Sequence, residues 1–428
     1  MAAPGPAFQA VWATAQNLAR QRRFEESLRV FDRLAALAPD NPSLLVSRGA
    51  TLLLSDDSQN ALRHFEDLTR SHPHLEDAWQ GLGKALYDQH RAEEAVAAFT
   101  QAAGLSADPA RALYHRGMAY LLMGDFARGW RDYEHRLTIP AFGHRVFAQP
   151  RWDGTPLAGR RLLVICEQGY GDVFQFARFL PVLRDRHGPF AFECPMELRD
   201  ILAPTLDGLD IVPLRGRQAP DTRFDCYASL LSLPFLLKIE PADIPAAPAH
   251  LAIPPAPGRP PGFRAGVVWA GKTSHPQDSH RSMDPEFLGP LTSLPGVQFV
   301  SLQKETGSRP PLPGLCPFPP EPETPLASFM DTARHIQTLD LVVAVDTAVA
   351  HLAAAMGKPT WLLLSAAGEW RWLRERSDSP WYPTMRIFRQ TRLGDWPSAI
   401  APARAALARL LADQCRSPLT PVAAAPCS

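Results

Sequence analysis

The chain has 428 residues, 46% hydrophobic and 21% charged, which allows two or three domains with cores of their own. Lys plus Arg and Asp plus Glu balance at 44 each, so no overall field attracts a polynucleotide or an anionic membrane. Six scattered cysteines without a C-x-x-C pair speak against a disulfide framework and a zinc finger, and no window reaches the roughly 18 apolar residues of a membrane span.

The first residues, MAAPGPAFQAVWATAQNLARQRR, carry no basic segment ahead of an apolar one, and the expected location is cytoplasmic, with reduced thiols. From there to residue 137 the chain repeats. Ser27, Ala61 and Ala95 are each followed four residues later by Phe31, Phe65 and Phe99, with a period of 34 residues. Ala15, Gly49, Gly83 and Gly117 share that period, Pro39 and Pro73 close the first two units, and Trp79-x-x-Leu82-Gly83 opens like a tetratricopeptide unit. Small residues let two antiparallel helices approach, the Phe fills the gap to the next repeat, and the proline ends the second helix. A generic helical bundle would not keep this phase. About four repeats are predicted over 1–137, the fourth placing Gly129-Trp130 at the small position and capping the array. Stacked helix pairs curve into a groove suited to a segment of another protein. The bland alternative is that they dimerise or brace the next domain.

A connector, 138–158, leads to a different texture. RLLVIC (161–166), FAFEC (190–194) and IVPL (211–214) read as buried strands, with helical periodicity over 173–186 and near MELRDILA, so 159–240 is predicted to form a parallel α/β half. A proline-rich linker, 241–262, precedes a second half over 263–414. Its strands are RAGVVWA, VQFVSLQ, LVVAVD, PTWLLL and MRIFR, and its helices TARHIQTLD, HLAAAMG and an amphipathic PSAIAPARAALARLLADQC. A second proline run, 309–325, reads as a surface loop, and the tail 415–428 is expected to fray. Two such halves suggest a cleft flanked by the carboxyl ends of their strands.

Three loops leave strand ends and enter helices. In EQGYGDVFQFAR, Gly169 and Gly171 permit a tight turn and Asp172 is either a helix cap or a carboxylate base for an acceptor hydroxyl. In WAGKTSHPQDSHRSM, Lys272, Arg281 and Ser282 belong to a set of donors suited to phosphate oxygens, or to a solvated polar loop. In AVDTAVAHLAAAMGKP, Asp346 or Thr347 caps a helix whose free N–H groups around Ala348 and Val349 make an anion site, with His351 on the same face. Together these imply a donor whose leaving group is a phosphate ester. No D-x-D pair occurs, so no metal site is expected and the charge falls to Arg, Lys and helix N-termini.

Gly171-Asp172-Val173 and Asp346-Thr347-x-x-x-His351-Leu352-x-x-Ala355-x-Gly357-Lys358-Pro359 resemble the two hallmark motifs of the ADP-heptose:lipopolysaccharide heptosyltransferases, inverting enzymes of the GT-B fold with two Rossmann-like halves. With GW-x-x-YE-x-R (129–136), P-x-W-x-G (150–154), EQG-x-GD, VWAG, SLQK and DSPWYPTMR-x-FRQ, nearly the whole chain resembles bacterial glycosyltransferases that join tetratricopeptide repeats to such a domain. Some of these glycosylate flagellin with a nonulosonic acid.

The resemblance implies Asp172 as general base and the Asp346 to His351 turn as donor phosphate and sugar site. It also places Lys272 and Arg281 near the diphosphate, and Gln303 and Lys304 near the nucleotide. Ala348 stands where the heptosyltransferases have Gly. The loop EWRWLRERSDSPWYP opens at the same side, and Trp370, Trp381 and Tyr382 either stack on a sugar or base or hold the loop to the core; for Trp372 the core is favoured.

The expected fold is thus an α-solenoid followed by a GT-B glycosyltransferase. The expected activity is inverting transfer from a nucleotide sugar to Ser or Thr of a protein held by the repeats, with no other cofactor. Two alternatives stand beside it: an enzyme of the same fold acting on a lipopolysaccharide or lipid-linked glycan, and a non-catalytic adaptor with a relic domain.

Overall fold

The computed structural model describes residues 5–416 except 56, 207, 217, 246, 248, 254, 256–257, 274, 276–277, 304–311, 313 and 318–328. Eight helices come first: α1 (Pro6–Arg20), α2 (Phe24–Leu37), α3 (Pro42–Leu54), α4 (Ser58–Ser71), α5 (Glu76–Asp88), α6 (Ala92–Leu105), α7 (Ala110–Leu122) and α8 (Phe126–Tyr133). Each packs on the next, and the 34-residue period has a steric cause. A Cβ added to Gly49 would lie 2.5 Å from the Phe65 ring, and one on Gly81 only 2.2 Å away, so Phe65 is wedged between its own repeat and the following one. Gly83 seats Phe99 in the same way, at 2.6 Å. The fourth unit keeps the phase further than its small residue suggested. Tyr133 takes the place of Phe99 and is buried, while Trp130 turns into the α/β region.

The connector is tied to the first half. The Trp152 N–H donates to the Tyr227 carbonyl at 2.8 Å, and Gly154, at φ +86°, passes 2.8 Å from the Leu236 carbonyl, measured from where a Cβ would stand. The P-x-W-x-G stretch therefore extends a sheet edge and then turns tightly beneath it.

The first half contains β1 (Leu162–Ile165), α9 (Tyr170–Phe176), α10 (Phe179–His187), β2 (Ala191–Cys194), α11 (Met196–Leu202), β3 (Asp210–Pro213), β4 (Cys226–Ser229) and α12 (Leu233–Leu236). Its sheet is parallel with order β3-β2-β1-β4. The periodic stretch 173–186 is two helices rather than one. Pro181 has no N–H for the Ala177 carbonyl and fits only a first turn, so the helix ends at Phe176 and restarts at Phe179. Strand β4 escaped the sequence reading, because its four residues run without a break signal into the apolar segment LLSLPFLL.

The linker is pinned to both halves. His250 and Leu251 donate their backbone N–H groups to the Ala355 carbonyl at 2.9 and 3.1 Å, and His250 Nε2 donates to the Phe174 carbonyl at 2.7 Å. The second half follows with β5 (Phe263–Val268), α13 (Asp278–Arg281), α14 (Gly289–Thr292), β6 (Val297–Ser301), β7 (Leu315–Cys316), α15 (Phe329–Gln337), β8 (Leu341–Val345), α16 (Ala348–Ala355), β9 (Thr360–Leu364), β10 (Met385–Arg389) and α17 (Trp396–Arg416). Its sheet is parallel with order β10-β9-β8-β5-β6-β7. The proline run read as a loop contains a correction: Leu315 and Cys316 pair with β6, and most of the rest lies outside the described residues. Helix α17 buries Ala399, Ile400, Ala403, Ala406 and Leu407, the apolar stripe expected of an amphipathic helix; the tail beyond Arg416 lies outside the described residues. Among the described residues no helix is long and apolar enough to cross a membrane.

The repeats are docked on the α/β region through rings. Trp130 packs edge-on against Trp370 at 5.4 Å and Phe176 at 6.0 Å, and Phe126 stacks on Trp381 at 5.6 Å. His90 Nε2 donates to the Ala366 carbonyl at 2.9 Å, and Glu93 pairs with Arg374.

Candidate active site at the junction of the two halves

The turn after β1 is shaped by Asp172. Its Oδ2 accepts the Gly169 N–H at 3.0 Å, closing the first turn of α9. Asp172 is therefore not the N-cap itself, which is Gly169; it stands at the third helical position and bonds back to the cap residue, leaving its second oxygen for another partner. That partner is Arg371, whose guanidinium Nη2 donates to Asp172 Oδ1. The same guanidinium reaches Glu369 Oε1 at 2.8 Å and Gln175 Oε1 at 3.1 Å, and its carbon sits 4.3 Å over the Trp370 ring. Burial by itself would lower the Arg371 pKa, but the carboxylates of Asp172 and Glu369 around the one cation outweigh it and raise the value overall. Sequence reasoning misses Arg371, which stands between two tryptophans in EWRWLRE; the one signal was an arginine flanked on both sides by large aromatic residues.

The turn after β8 faces it. Thr347 is the N-cap of α16 in extended conformation, so Ala348 and Val349 present first-turn N–H groups with no preceding carbonyl to bond. The Thr347 hydroxyl is buried without a partner among the described residues. Gly171 lies against this helix: a Cβ there would stand 2.9 Å from His351 Cδ2 and 3.6 Å from Ala348 Cα. The N-termini of α9 and α16 therefore meet across the junction, and only a glycine allows the approach. Gly357, at φ +74°, ends α16, and Lys358 Nζ donates to the Gln337 carbonyl at 3.2 Å, so the G-K-P end of that motif is structural.

His351 is only 4% exposed, and both ring nitrogens are engaged. Nδ1 bonds the Tyr382 hydroxyl at 2.8 Å, Nε2 lies 3.5 Å from Asp346 Oδ1, and the ring stacks on Trp372 at 5.1 Å. Asp346 Oδ2 accepts the Trp372 indole N–H at 2.9 Å. Burial alone would raise the Asp346 pKa; hydrogen bonding and charge from His351, the indole N–H and Arg371 outweigh it and hold the carboxyl below its usual range. In this arrangement His351 and Asp346 shape the turn from beneath.

The loop after β5 joins the same place. Arg281 Nη1 donates to the Asp346 carbonyl at 3.3 Å. The Ser282 hydroxyl accepts the Gly271 N–H at 2.9 Å and donates to Asp278 at 2.7 Å, which holds the loop in shape. Lys272 is exposed on it. Gln303 turns inward, its Oε1 accepting the N–H groups of Trp269 and Ala270 at 3.3 and 3.1 Å; Lys304 and Ser274 lie outside the described residues. Trp370, Trp372, Trp381 and Tyr382 are all buried, so the stacking alternative for Trp370, Trp381 and Tyr382 finds no open ring face; Trp370 and Trp381 join the seam to the repeats, and Tyr382 packs against His250 and His351.

Residues 322–390 match the family model described as glycosyltransferase family 9 (heptosyltransferase), and residues 13–76, 48–102 and 81–129 match a tetratricopeptide repeat model. The chain is 26% identical over 412 residues to Protein FlbA of Caulobacter vibrioides, covering 87% of this chain and 68% of that protein. Among solved structures, a thermophilic tetratricopeptide-repeat protein of Thermus thermophilus aligns at 19% identity over 31% of this chain and 75% of its own, with a TM-score of 0.30. MamA of Desulfovibrio magneticus RS-1 aligns at 21% identity over 31% and 74%, with a TM-score of 0.27. The matched segment at 322–390 contains Asp346, His351, Arg371 and the aromatic loop, and the chain thus joins tetratricopeptide repeats to an α/β region that carries a glycosyltransferase family 9 match.

Proposed function

We propose that the chain is a cytoplasmic, inverting protein glycosyltransferase of GT-B type, in which the repeats hold the acceptor and the second α/β half holds a nucleotide sugar. By the resemblance of the full motif set, the favoured acceptor is flagellin and the favoured sugar a nonulosonic acid. The observation that carries the transferase reading is the meeting of α9 and α16 at Gly171 and His351. It brings a carboxylate from one half against an uncapped helix N-terminus from the other.

In this reading the acceptor hydroxyl loses its proton to Asp172 as its oxygen bonds the anomeric carbon, and the bond from that carbon to the phosphate oxygen breaks on the opposite face. The charge gathering on the departing phosphate is met by the N–H groups of Ala348 and Val349, by Arg281 and by Lys272, so that no metal ion is required. Arg371 holds Asp172 in place, and acceptor entry shifts that carboxylate oxygen from the guanidinium to the incoming hydroxyl.

Asp172→Asn keeps donor binding, read by thermal shift with nucleotide sugars, and loses transfer, read by intact mass of acceptors from cells with and without the protein. Full transfer by the variant would remove Asp172 as base. Mass added to a lipid-linked glycan and to no protein would move the acceptor class.

A further inference from the structure

A cavity of about 240 Å³ opens beside the carboxyl ends of β1 and β4. It is walled by Glu134 and Leu137 at the end of the repeats, by His144 and Arg151 of the connector, and by Glu167 and Tyr227 of the first half. The two motifs that the junction leaves unused, GW-x-x-YE-x-R and the EQ of EQG-x-GD, meet here. Arg136 is fully buried. Its guanidinium donates to Glu134 Oε1 at 2.6 Å, Glu167 Oε1 at 2.7 Å and the Ser232 hydroxyl at 2.9 Å.

Glu167 Oε1 is fully occupied, since the Ser229 hydroxyl donates to it as well. Glu167 Oε2 is not: the side chain is 4% exposed, and this oxygen has no hydrogen-bond partner among the described residues. His144 Nδ1 stands 3.3 Å from it without hydrogen-bond geometry, and His144 Nε2 is likewise buried and unpartnered among the described residues. A buried acceptor left unpaired is unfavourable, so such atoms mark a place for an incoming donor.

The charges select the ligand class. Arg136, Arg145 and Arg151 are matched by Glu134, Glu167 and Glu193, with Arg145 paired to Glu193 at 3.0 Å. Burial lowers the His144 pKa, with Arg136 and Arg151 also lowering it against Glu167, so the imidazole is neutral at neutral pH. A phosphate finds no surplus positive charge. The two buried polar atoms left without a partner among the described residues, Glu167 Oε2 and His144 Nε2, suit a single hydroxyl on a small apolar stem, with Leu137 and Tyr227 as the apolar wall.

Resting on the transferase reading for the name of the acceptor, we propose that this cavity is a recognition pocket for one Ser or Thr side chain of the acceptor polypeptide. The hydroxyl donates to Glu167 Oε2 or His144 Nε2. The repeats then supply a wall of the acceptor site in addition to any grip along their groove.

The test uses the full chain and a library of twelve-residue peptides, each carrying one Thr, against the same library with Val, which has the same shape without the hydroxyl. Thr members should bind at least tenfold tighter than their Val counterparts. That preference should vanish in His144→Phe and in Leu137→Trp, both at unchanged melting temperature, and persist in Asp172→Asn. Equal binding of Thr and Val members, or a preference untouched by both pocket variants, would overturn the proposal. So would displacement of the His144 side-chain resonance by methyl glucoside but by no peptide. Failure of every nucleotide sugar to bind in thermal shift would instead sink the transferase reading and leave the Thr-to-Val comparison to stand or fall separately.

Discussion

Arg371→Met tests whether the two halves and the repeats are held at one buried charge. The side chain is 13% exposed and supports Asp172, itself 15% exposed, and Glu369, 24% exposed. Removing one partner of a buried ion pair costs about 3–5 kcal/mol, because the remaining charge is left without compensation. Here Asp172 keeps the Gly169 N–H and Glu369 is partly solvated, so the lower end, about 3 kcal/mol, is expected. At ~2–4 °C per kcal/mol for a domain of this size, melting should fall by about 6–12 °C. Asp172→Asn alone leaves Arg371 with Glu369 and should cost only about 1–2 kcal/mol. In the double variant the Asp172 carboxylate is no longer stranded, so its cost should undershoot the sum of the single costs by at least ~1 kcal/mol. Scanning calorimetry of the four proteins reads this directly. Additive costs, or an Arg371→Met variant that melts with the parent, would refute the role given to Arg371.

Gly171→Ala places a Cβ 2.9 Å from the His351 ring and should cost about 1–3 kcal/mol while lowering transfer; a parent-like melt with full transfer would show that the approach of α9 and α16 is not tight. Trp130→Ala removes the ring between Trp370, Phe176 and Trp381, with an expected cost of about 3–5 kcal/mol, and should expose the connector to limited proteolysis; unchanged cleavage would refute the seam. Burial lowers both His115 and His250 to about 3, so the unfolded chain binds protons first as pH falls. Their contribution is complete above pH ~6.5 and is lost as pH drops from there toward about 3, at up to ~1.4 kcal/mol per pH unit for each. Melting temperature against pH should slope downward below 6.5 and flatten partly in His250→Gln; a flat profile between pH 7 and 5 would contradict this.

Periodic features needed no tertiary context to be read. The 34-residue spacing of Phe31, Phe65 and Phe99 with Gly49 and Gly83 reflects packing between neighbours in sequence, and the strand runs from 161 and from 339 announce themselves by continuous apolar residues. The strand-end turns at Asp172 and Asp346 were legible for the same reason, since a hydrophobic run followed by Gly, Asp or Thr marks where a helix starts.

What those turns face was settled by residues far away in the chain. Arg371 is 199 positions from the Asp172 it holds, Tyr382 is 31 from His351, and Trp130 closes against Trp370. Local sequence could leave His351 open to the cleft and the tryptophans free to stack, because nothing within one helical turn showed which of their faces would be covered. The pocket at Glu167 has the same origin. Its charges come from the end of the repeats, the connector and the first half, and only folding brings Arg136 to Glu167. Patterns with a short period record contacts between near neighbours, whereas the pairing of isolated charges and rings across distant segments is decided by desolvation and packing in three dimensions.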